Sequence, residues 1–174
     1  MKVVLVPGFN GTAKQPMLVR LSRLLCERGL EAQAVTLRSG RPSPGLAEET
    51  AQLNRLAGEG PIAIVGRSFG GRVGARLAAQ REVAAMVLLG FPIRPPGRPR
   101  PDDEAALKAL KCPVLILQGA KDELGSPVLL RRLTRGMKNV ELSVVKGATH
   151  SFGRAEGEVL ARAAEWLVGV SSSS

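Results

Sequence analysis

The sequence predicts an α/β protein in which a mainly parallel sheet of about six strands is covered by helices on both faces. Short, unbroken apolar runs such as residues 3–6 (VVLV) and 62–65 (IAIV) are typical of parallel strands that are buried on both sides. Segments with leucines at helical spacing, such as residues 17–28, follow these runs after glycine- or proline-containing turns. Strands that alternate with helices over the whole chain indicate a parallel sheet.

The elements follow in order. The predicted strands are residues 3–6, 31–37, 62–65, 86–89, 114–117 and 140–145. The predicted helices are residues 17–28, 46–57, 72–79, 104–110, 128–134 and 155–167. Gly29 closes the first helix, and Gly58 and Gly60 stop the second. We therefore predict one domain over residues 1–168 and a frayed tail over residues 169–174.

One segment is dense in proline. Residues 91–103 (FPIRPPGRPRPDD), which we call the strap, are too few for a domain linker. Proline favours extended backbone, so we expect the strap to cross the surface as an ordered, extended segment. It stands where a lid would be inserted, and we predict no lid domain.

Composition limits the possible functions. The net charge is +10, but the basic residues are scattered, only 3% of residues are aromatic and tyrosine is absent, so no nucleic-acid partner is expected.

The apolar run at the N-terminus is too short for a signal peptide or a membrane span. Together with Cys26 and Cys112, which we expect to be separate buried thiols, this predicts a cytoplasmic protein without a membrane partner. A single histidine leaves almost no ligands for a metal, and no cofactor is expected. The oligomeric state stays open.

A G-x-S-x-G pattern lies between the third strand and its helix. In residues 61–71 (PIAIVGRSFGG), Ser68 follows a buried strand at once, and this is the context of a nucleophile elbow. Such a turn lifts the serine hydroxyl above the sheet, and Gly66 and Gly70 permit the strand and the helix to pass closely. The alternative is that Ser68 is merely a helix N-cap.

A serine, an acid and a histidine follow separate strands. Ser68 comes after the third predicted strand, Asp122 after the fifth and His150 after the sixth, and the carboxyl ends of parallel strands meet at one edge. A serine hydroxyl needs an imidazole to accept its proton, and the imidazole needs a carboxylate to orient it. We therefore predict a catalytic triad. Asp102 or Asp103, at the end of the strap, could supply the acid instead.

The loops at the same edge contain further candidates. The backbone N–H groups of Phe9 and Phe69 are predicted to form an oxyanion hole. Asn10 and Arg67 are candidate substrate-binding residues. For Arg67 the alternative is that it packs beside the elbow and pairs with a neighbouring carboxylate.

These motifs resemble the α/β hydrolase superfamily from residue 3 to residue 167. GRSFGGRV, GFPIRPPGRP, VLILQGAKDELG and GATHSF also resemble, more narrowly, a small group related to dienelactone hydrolases, which includes a testis-expressed protein and a subunit of a histone-acetyltransferase complex. The resemblance implies a minimal α/β-hydrolase fold and a serine hydrolase that cleaves a small carboxylic ester, a thioester or a lactone through an acyl-enzyme. It departs at Pro7-Gly8, where many hydrolases have His-Gly.

Two other functions are alternatives to this one. A non-catalytic interaction protein could use the same scaffold, because fold does not fix function. A nucleotide-binding module is a weaker alternative. GFNGT and GRSFGG both follow strands and precede helices, but neither is a G-x-G-x-x-G motif.

Overall fold

Six parallel strands form one sheet in the computed structural model, which describes residues 1–173. The strands are β1 (Lys2–Val6), β2 (Glu31–Ala34), β3 (Ile62–Arg67), β4 (Ala85–Leu89), β5 (Val114–Gly119) and β6 (Val140–Val145). Their order across the sheet is β2-β1-β3-β4-β5-β6. The prediction of an α/β fold with about six parallel strands is therefore confirmed.

Six α-helices connect or follow these strands. They are α1 (Pro16–Glu27), α2 (Ala47–Ala57), α3 (Phe69–Ala78), α4 (Pro101–Ala109), α5 (Pro127–Leu133) and α6 (Glu156–Ser172). Short 3-10 turns precede two of them, at Pro44–Leu46 and at Gly153–Ala155. Each helix of residues 1–173 is too short or too polar to span a lipid bilayer.

Each face of the sheet is covered by a separate apolar core. Successive residues of a strand point to opposite faces, so Ile62 and Ile64 of β3 enter one core while Ala63 and Val65 enter the other. Residues of α2, α3, α4 and α5 complete the first core. Residues of α1 and α6 complete the second. The strands β3, β4 and β5 are buried along their whole length, which explains their continuous apolar runs.

The topology leaves a crevice beside β3. From β1 the chain crosses to β2 through α1 on one face, and from β3 it crosses to β4 through α3 on the opposite face. β1 and β3 are neighbours, so the two connections diverge above their shared edge. Parallel α/β sheets bind ligands at such a switch point.

Several boundaries differ from the predicted ones. The strand β2 ends at Ala34 rather than at residue 37, and α3 begins at Phe69 rather than at residue 72. The prediction of an extended strap through residue 103 is wrong at its end, because α4 already begins at Pro101. The helix α6 continues to Ser172, so most of the predicted frayed tail is helical, while Ser174 lies outside the described residues.

The two cysteines are not bridged. Cys26 is exposed, so the prediction of a buried thiol is wrong for this residue. Cys112 is half-buried, and burial raises the pKa of its thiol to about 11.

Candidate active site

The turn between β3 and α3 holds Ser68 in an unusual backbone conformation. Its φ is 48° and its ψ is −112°, a region that a residue with a Cβ rarely adopts. The Ser68 N–H donates to the Leu89 carbonyl at 3.0 Å, and the Ser68 carbonyl accepts from the Gly71 N–H at 2.9 Å. These bonds tie the turn to β4 and to the first turn of α3. Ser68 occupies the N-cap position of α3, but its side chain does not cap the helix.

Gly66 and Gly70 give the turn the space that it needs. A Cβ on Gly66 would lie 2.3 Å from the Gly71 Cα, and one on Gly70 would lie 2.4 Å from the Val6 carbonyl oxygen. Neither contact is possible without moving backbone, so any side chain at these positions would separate β3 from α3, or α3 from β1. The helix α3 therefore passes close to β3 and β1 at the elbow, as the sequence predicts.

The predicted triad residues form a hydrogen-bonded chain. Ser68 Oγ lies 2.8 Å from His150 Nε2, and His150 Nδ1 lies 2.8 Å from Asp122 Oδ2. The Asp122 side chain is 0% exposed, whereas the His150 side chain is 15% exposed. The arrangement therefore runs from a buried carboxylate, through an imidazole, to a partly accessible hydroxyl.

Backbone and side-chain donors hold the Asp122 carboxylate in place. Oδ1 accepts from the Leu124 N–H at 2.9 Å and from the Gly125 N–H at 3.2 Å. Oδ2 accepts from Gln118 Nε2 at 2.9 Å in addition to facing the histidine. With these donors, the carboxylate is satisfied without water in a buried position.

Gln118 is a supporting residue that was not predicted from the sequence. Its side chain is fully buried, donates to the Gly125 carbonyl at 2.8 Å, and accepts from the Phe91 N–H at 2.8 Å. It therefore joins the first residue of the strap to the loop that carries Asp122. A signal was present, because a glutamine at the carboxyl end of an otherwise apolar strand (VLILQG) is expected to be buried and therefore bonded.

The two alternative acids lie elsewhere. Asp103 is 1% exposed and accepts from Arg72 Nε at 2.6 Å and from Arg76 Nη2 at 2.9 Å. Asp102 is largely exposed and lies 3.6 Å from Arg76. Among the described residues, the carboxylate that faces His150 belongs to Asp122.

The turns after the neighbouring strands β1 and β3 contain the two predicted oxyanion-hole donors, the backbone N–H groups of Phe9 and Phe69. The Phe69 N–H is the first of α3, where helix N–H groups have no partner within the helix. Within residues 1–173, neither the Phe69 N–H nor the Phe9 N–H donates a hydrogen bond to another protein atom. Both are thus free to stabilise a negative oxygen. The two rings stack edge to face, with centroids 5.6 Å apart.

The loop after β1 is held by side chains from outside it. The Gly8 N–H donates to Gln15 Oε1 at 3.1 Å, so Gln15 supports the loop where many hydrolases have a histidine. Asn10 Oδ1 accepts from the Gly40 N–H at 2.9 Å. This bond gives the exposed Asn10 a structural role between two loops. Its predicted contact with substrate stays a prediction.

Arg67 lies under the histidine rather than in the open site. It is 8% exposed, and it donates from Nη1 to the Leu89 carbonyl at 3.0 Å and from Nη2 to the His150 carbonyl at 2.7 Å. Burial lowers the pKa of the guanidinium, while the carboxylates of Asp122 and Glu156 oppose this shift. Of the two predicted roles, this geometry favours packing beside the elbow, where Arg67 supports the His150 loop.

A cavity of about 330 Å³ opens beside Ser68. It is lined by Phe9, Pro42, Ser68, Phe69, Arg72, Pro92, Pro95, Arg98, Arg100 and Leu124. The strap therefore forms one wall. Depressions of about 560 and 540 Å³ lie elsewhere on the surface, but neither is lined by a residue of the triad. No group of three or more potential metal ligands occurs within residues 1–173.

Known proteins resemble this chain in sequence and in fold. The family model described as "Alpha/beta hydrolase domain" matches residues 34–168. No curated protein sequence matches the chain significantly.

Solved structures share the fold. An alpha-beta serine hydrolase homologue from Coxiella burnetii is 23% identical, with 94% of this chain and 84% of that chain covered and a TM-score of 0.76. A monoacylglycerol lipase from Paleococcus ferrophilus is 19% identical, with 97% and 94% covered and a TM-score of 0.81. Est1E from Butyrivibrio proteoclasticus, with ferulic acid bound, is 18% identical, with 98% and 89% covered and a TM-score of 0.78.

Proposed function

The chain belongs to the alpha/beta hydrolase family, and on this premise we propose that it is a serine hydrolase that cleaves small carboxylic esters through an acyl-enzyme. The observation that supports this most directly is the chain of two 2.8 Å contacts from Ser68 through His150 to Asp122. A nucleophile, a base and an orienting carboxylate within hydrogen-bond reach are the parts that acyl transfer requires.

In the acylation step, Ser68 Oγ attacks the ester carbonyl carbon while its proton passes to His150 Nε2. Asp122 stabilises the imidazolium and fixes the ring through Nδ1. The carbonyl oxygen becomes negative and accepts hydrogen bonds from the N–H groups of Phe9 and Phe69. When the carbon–oxygen bond of the ester breaks, the alcohol leaves with the proton from His150, and the acyl group stays on Ser68.

In the deacylation step, water takes the place of the alcohol. His150 accepts a proton from the water, whose oxygen attacks the acyl carbon, and the bond to Ser68 Oγ breaks as the serine regains its proton. The sum is one ester and one water converted to one acid and one alcohol. The same steps would cleave a thioester or a lactone.

The shape of the site favours small substrates. A cavity of about 330 Å³ is at the lower end of the range for ligand sites, and the chain from β4 to β5 contains the strap and α4 without an inserted domain. Membership of the smaller group related to dienelactone hydrolases is a further proposal, based on the motifs quoted above.

Covalent labelling with a fluorophosphonate probe tests the proposal. The wild-type protein should be labelled at one residue, identified as Ser68 by peptide mapping, and should hydrolyse 4-nitrophenyl esters of short acids. Ser68→Ala should abolish labelling and lower kcat by several orders of magnitude, because the nucleophile is absent. Ser143→Ala, on β6 and outside the cavity, is the matched control and should behave as wild type.

The outcomes separate the candidate functions. A folded wild-type protein that neither labels nor hydrolyses any ester would be a non-catalytic protein on a hydrolase scaffold. Substantial esterase activity in Ser68→Ala would show that the nucleophile lies elsewhere.

A further inference from the structure

The cavity beside Ser68 has one strongly cationic wall. Arg72 of α3 and Arg98 and Arg100 of the strap line it. Apart from Ser68, its other lining residues are apolar: Phe9, Pro42, Phe69, Pro92, Pro95 and Leu124. No carboxylate is among the described residues that line the cavity. A neutral ester would use the apolar wall and leave the positive charges unused.

The charge of Arg72 is balanced by carboxylates of α4. Its Nε donates to Asp103 Oδ2 at 2.6 Å, and the other oxygen of the same buried carboxylate accepts from Arg76 Nη2 at 2.9 Å. Arg76 also lies 3.6 Å from Asp102, so two guanidinium groups share two carboxylates. The Arg72 guanidinium also lies 5.7 Å from the centroid of the Phe69 ring, on the helix that begins after Ser68.

Arg98 and Arg100 have no carboxylate partner among the described residues. Arg100 is half-buried and donates from Nη1 to the Pro92 carbonyl at 2.9 Å, which orients its guanidinium without neutralising it. Arg98 is exposed. Burial and the nearby positive charge of Arg72 lower the pKa of Arg100, Asp103 opposes this shift, and Arg98 adds to it. These cations therefore repel one another, and an anion bound among them would relieve that repulsion.

We propose that the ester cleaved at Ser68 carries a carboxylate or a phosphate group, which the guanidinium groups of Arg98 and Arg100 bind. This substrate class rests on the proposed serine hydrolase function. Guanidinium groups bind both anions through paired N–H donors. The apolar wall would contact the chain between the scissile carbonyl and the anion.

The test compares esters that differ in charge. The substrates are mono(4-nitrophenyl) glutarate, 4-nitrophenyl 4-phosphonobutanoate and neutral 4-nitrophenyl hexanoate, with spontaneous hydrolysis measured in the presence of Ser68→Ala and subtracted. At low salt, kcat/KM for at least one anionic ester should exceed that for the hexanoate by about tenfold or more. The anion with the larger ratio is the better mimic of the natural group. The ratio should fall as sodium chloride screens the charges.

Variants assign the preference to the two arginines. The double variant Arg98→Gln and Arg100→Gln should lower the charged-to-neutral ratio about tenfold, mainly through KM of the anionic ester, and the matching lysine variants should retain part of it. Arg131→Gln, on an exposed part of α5, is the control and should keep the wild-type ratio. Glutarate and inorganic phosphate should inhibit hexanoate hydrolysis competitively, which also tests the proposal if the double variant does not fold.

Failure of this proposal is distinct from failure of the proposed function. If Ser68 is labelled and the hexanoate is hydrolysed, but the ratio in the wild type is near one or the double variant leaves it unchanged, the anion site is refuted and the serine hydrolase stands. If no ester is hydrolysed and Ser68 is not labelled, the proposed function itself is refuted.

Discussion

Replacing Ser68 by glycine and by alanine separates the chemistry of this residue from its backbone conformation. With φ at 48° and ψ at −112°, Ser68 lies in a region that costs a residue with a Cβ roughly 1–3 kcal/mol. Glycine releases this strain, but it loses more conformational freedom on folding, roughly 0.5–1 kcal/mol. Alanine keeps the Cβ and therefore keeps the strain.

The glycine variant should consequently be more stable than the alanine variant by about 1–2 kcal/mol. For a domain of this size, each kcal/mol corresponds to a rise in Tm of about 2–4 °C. Urea unfolding and thermal unfolding of both variants measure the difference, and both should lack esterase activity. Ser22, in the interior of α1, is the matched control, because there glycine should be less stable than alanine by about 1 kcal/mol.

The sign of the difference in stability between the glycine and alanine variants at position 68 shows whether the elbow is strained. If glycine is no more stable than alanine there, while the Ser22 pair shows the usual order, the elbow is not strained in solution. The account of how the hydroxyl is lifted above the sheet would then be wrong.

Three further predictions concern buried residues. Gly70→Ala should destabilise the protein by about 3 kcal/mol in urea unfolding, because the added Cβ clashes with the β1 backbone. Gly169→Ala is the control and should stabilise the protein by about 0.5–1 kcal/mol, because its Cβ meets nothing within 4 Å. Equal effects would refute the close approach of α3 to β1. Burial opposes ionisation of Glu49, but hydrogen bonds from neighbouring residues lower its pKa to about 2 from an ordinary 4.5. The ionised form of Glu49 therefore stabilises the folded state above pH 4.5, and this contribution is lost as the pH falls toward 2. In urea unfolding, Glu49→Gln should therefore be about 2 kcal/mol less stable than wild type at pH 7, and a gap unchanged at pH 2 would contradict the shift. Asp122→Asn should lower kcat roughly ten-thousand-fold in esterase assays. Asp103→Asn should mainly lower stability, by about 3 kcal/mol in urea unfolding. The reverse ranking would assign the acid of the triad to the strap.

The strands and most helices were predictable because apolar periodicity reflects burial directly. The boundaries were missed where tertiary contacts override local preference. Gly70 and Gly71 disfavour a helix, yet α3 includes them, because the close passage requires residues without side chains. The helix α6 continues past its predicted end, because Val168 and Val170 pack against the core.

The end of β2 has a different cause. Its neighbour β1 ends at Val6, and the last bond between them joins the Val35 N–H to the Leu5 carbonyl at 3.0 Å. Beyond this bond no neighbouring strand remains to pair with, so residues 36 and 37 leave the sheet although their sequence continues the strand pattern.

The residues of the candidate site also differ in how far the sequence predicts them. Ser68, Asp122 and His150 could be found because each follows a strand and the chemistry restricts the residue types. The position of Gln118 at the end of an apolar strand indicated a buried, bonded amide, but its partners and those of Gln15 could not be predicted, because they are distant in sequence or depend on loop conformation. The charge of Arg98 and Arg100 was visible, but its concentration on one wall depends on how the strap folds over the site.

The strap is held by hydrogen bonds near both ends, and residues 96–99 between them face solvent. The Phe91 N–H donates to the buried Gln118, the Arg94 N–H donates to the Leu124 carbonyl at 3.2 Å, and Asp103 accepts from the arginines of α3. The middle of the strap could accept longer or different sequences without disturbing the carboxylate that orients His150. A related enzyme could therefore acquire a new substrate, or a full lid, by insertion at this one place, and the same segment is where an engineer should graft new specificity.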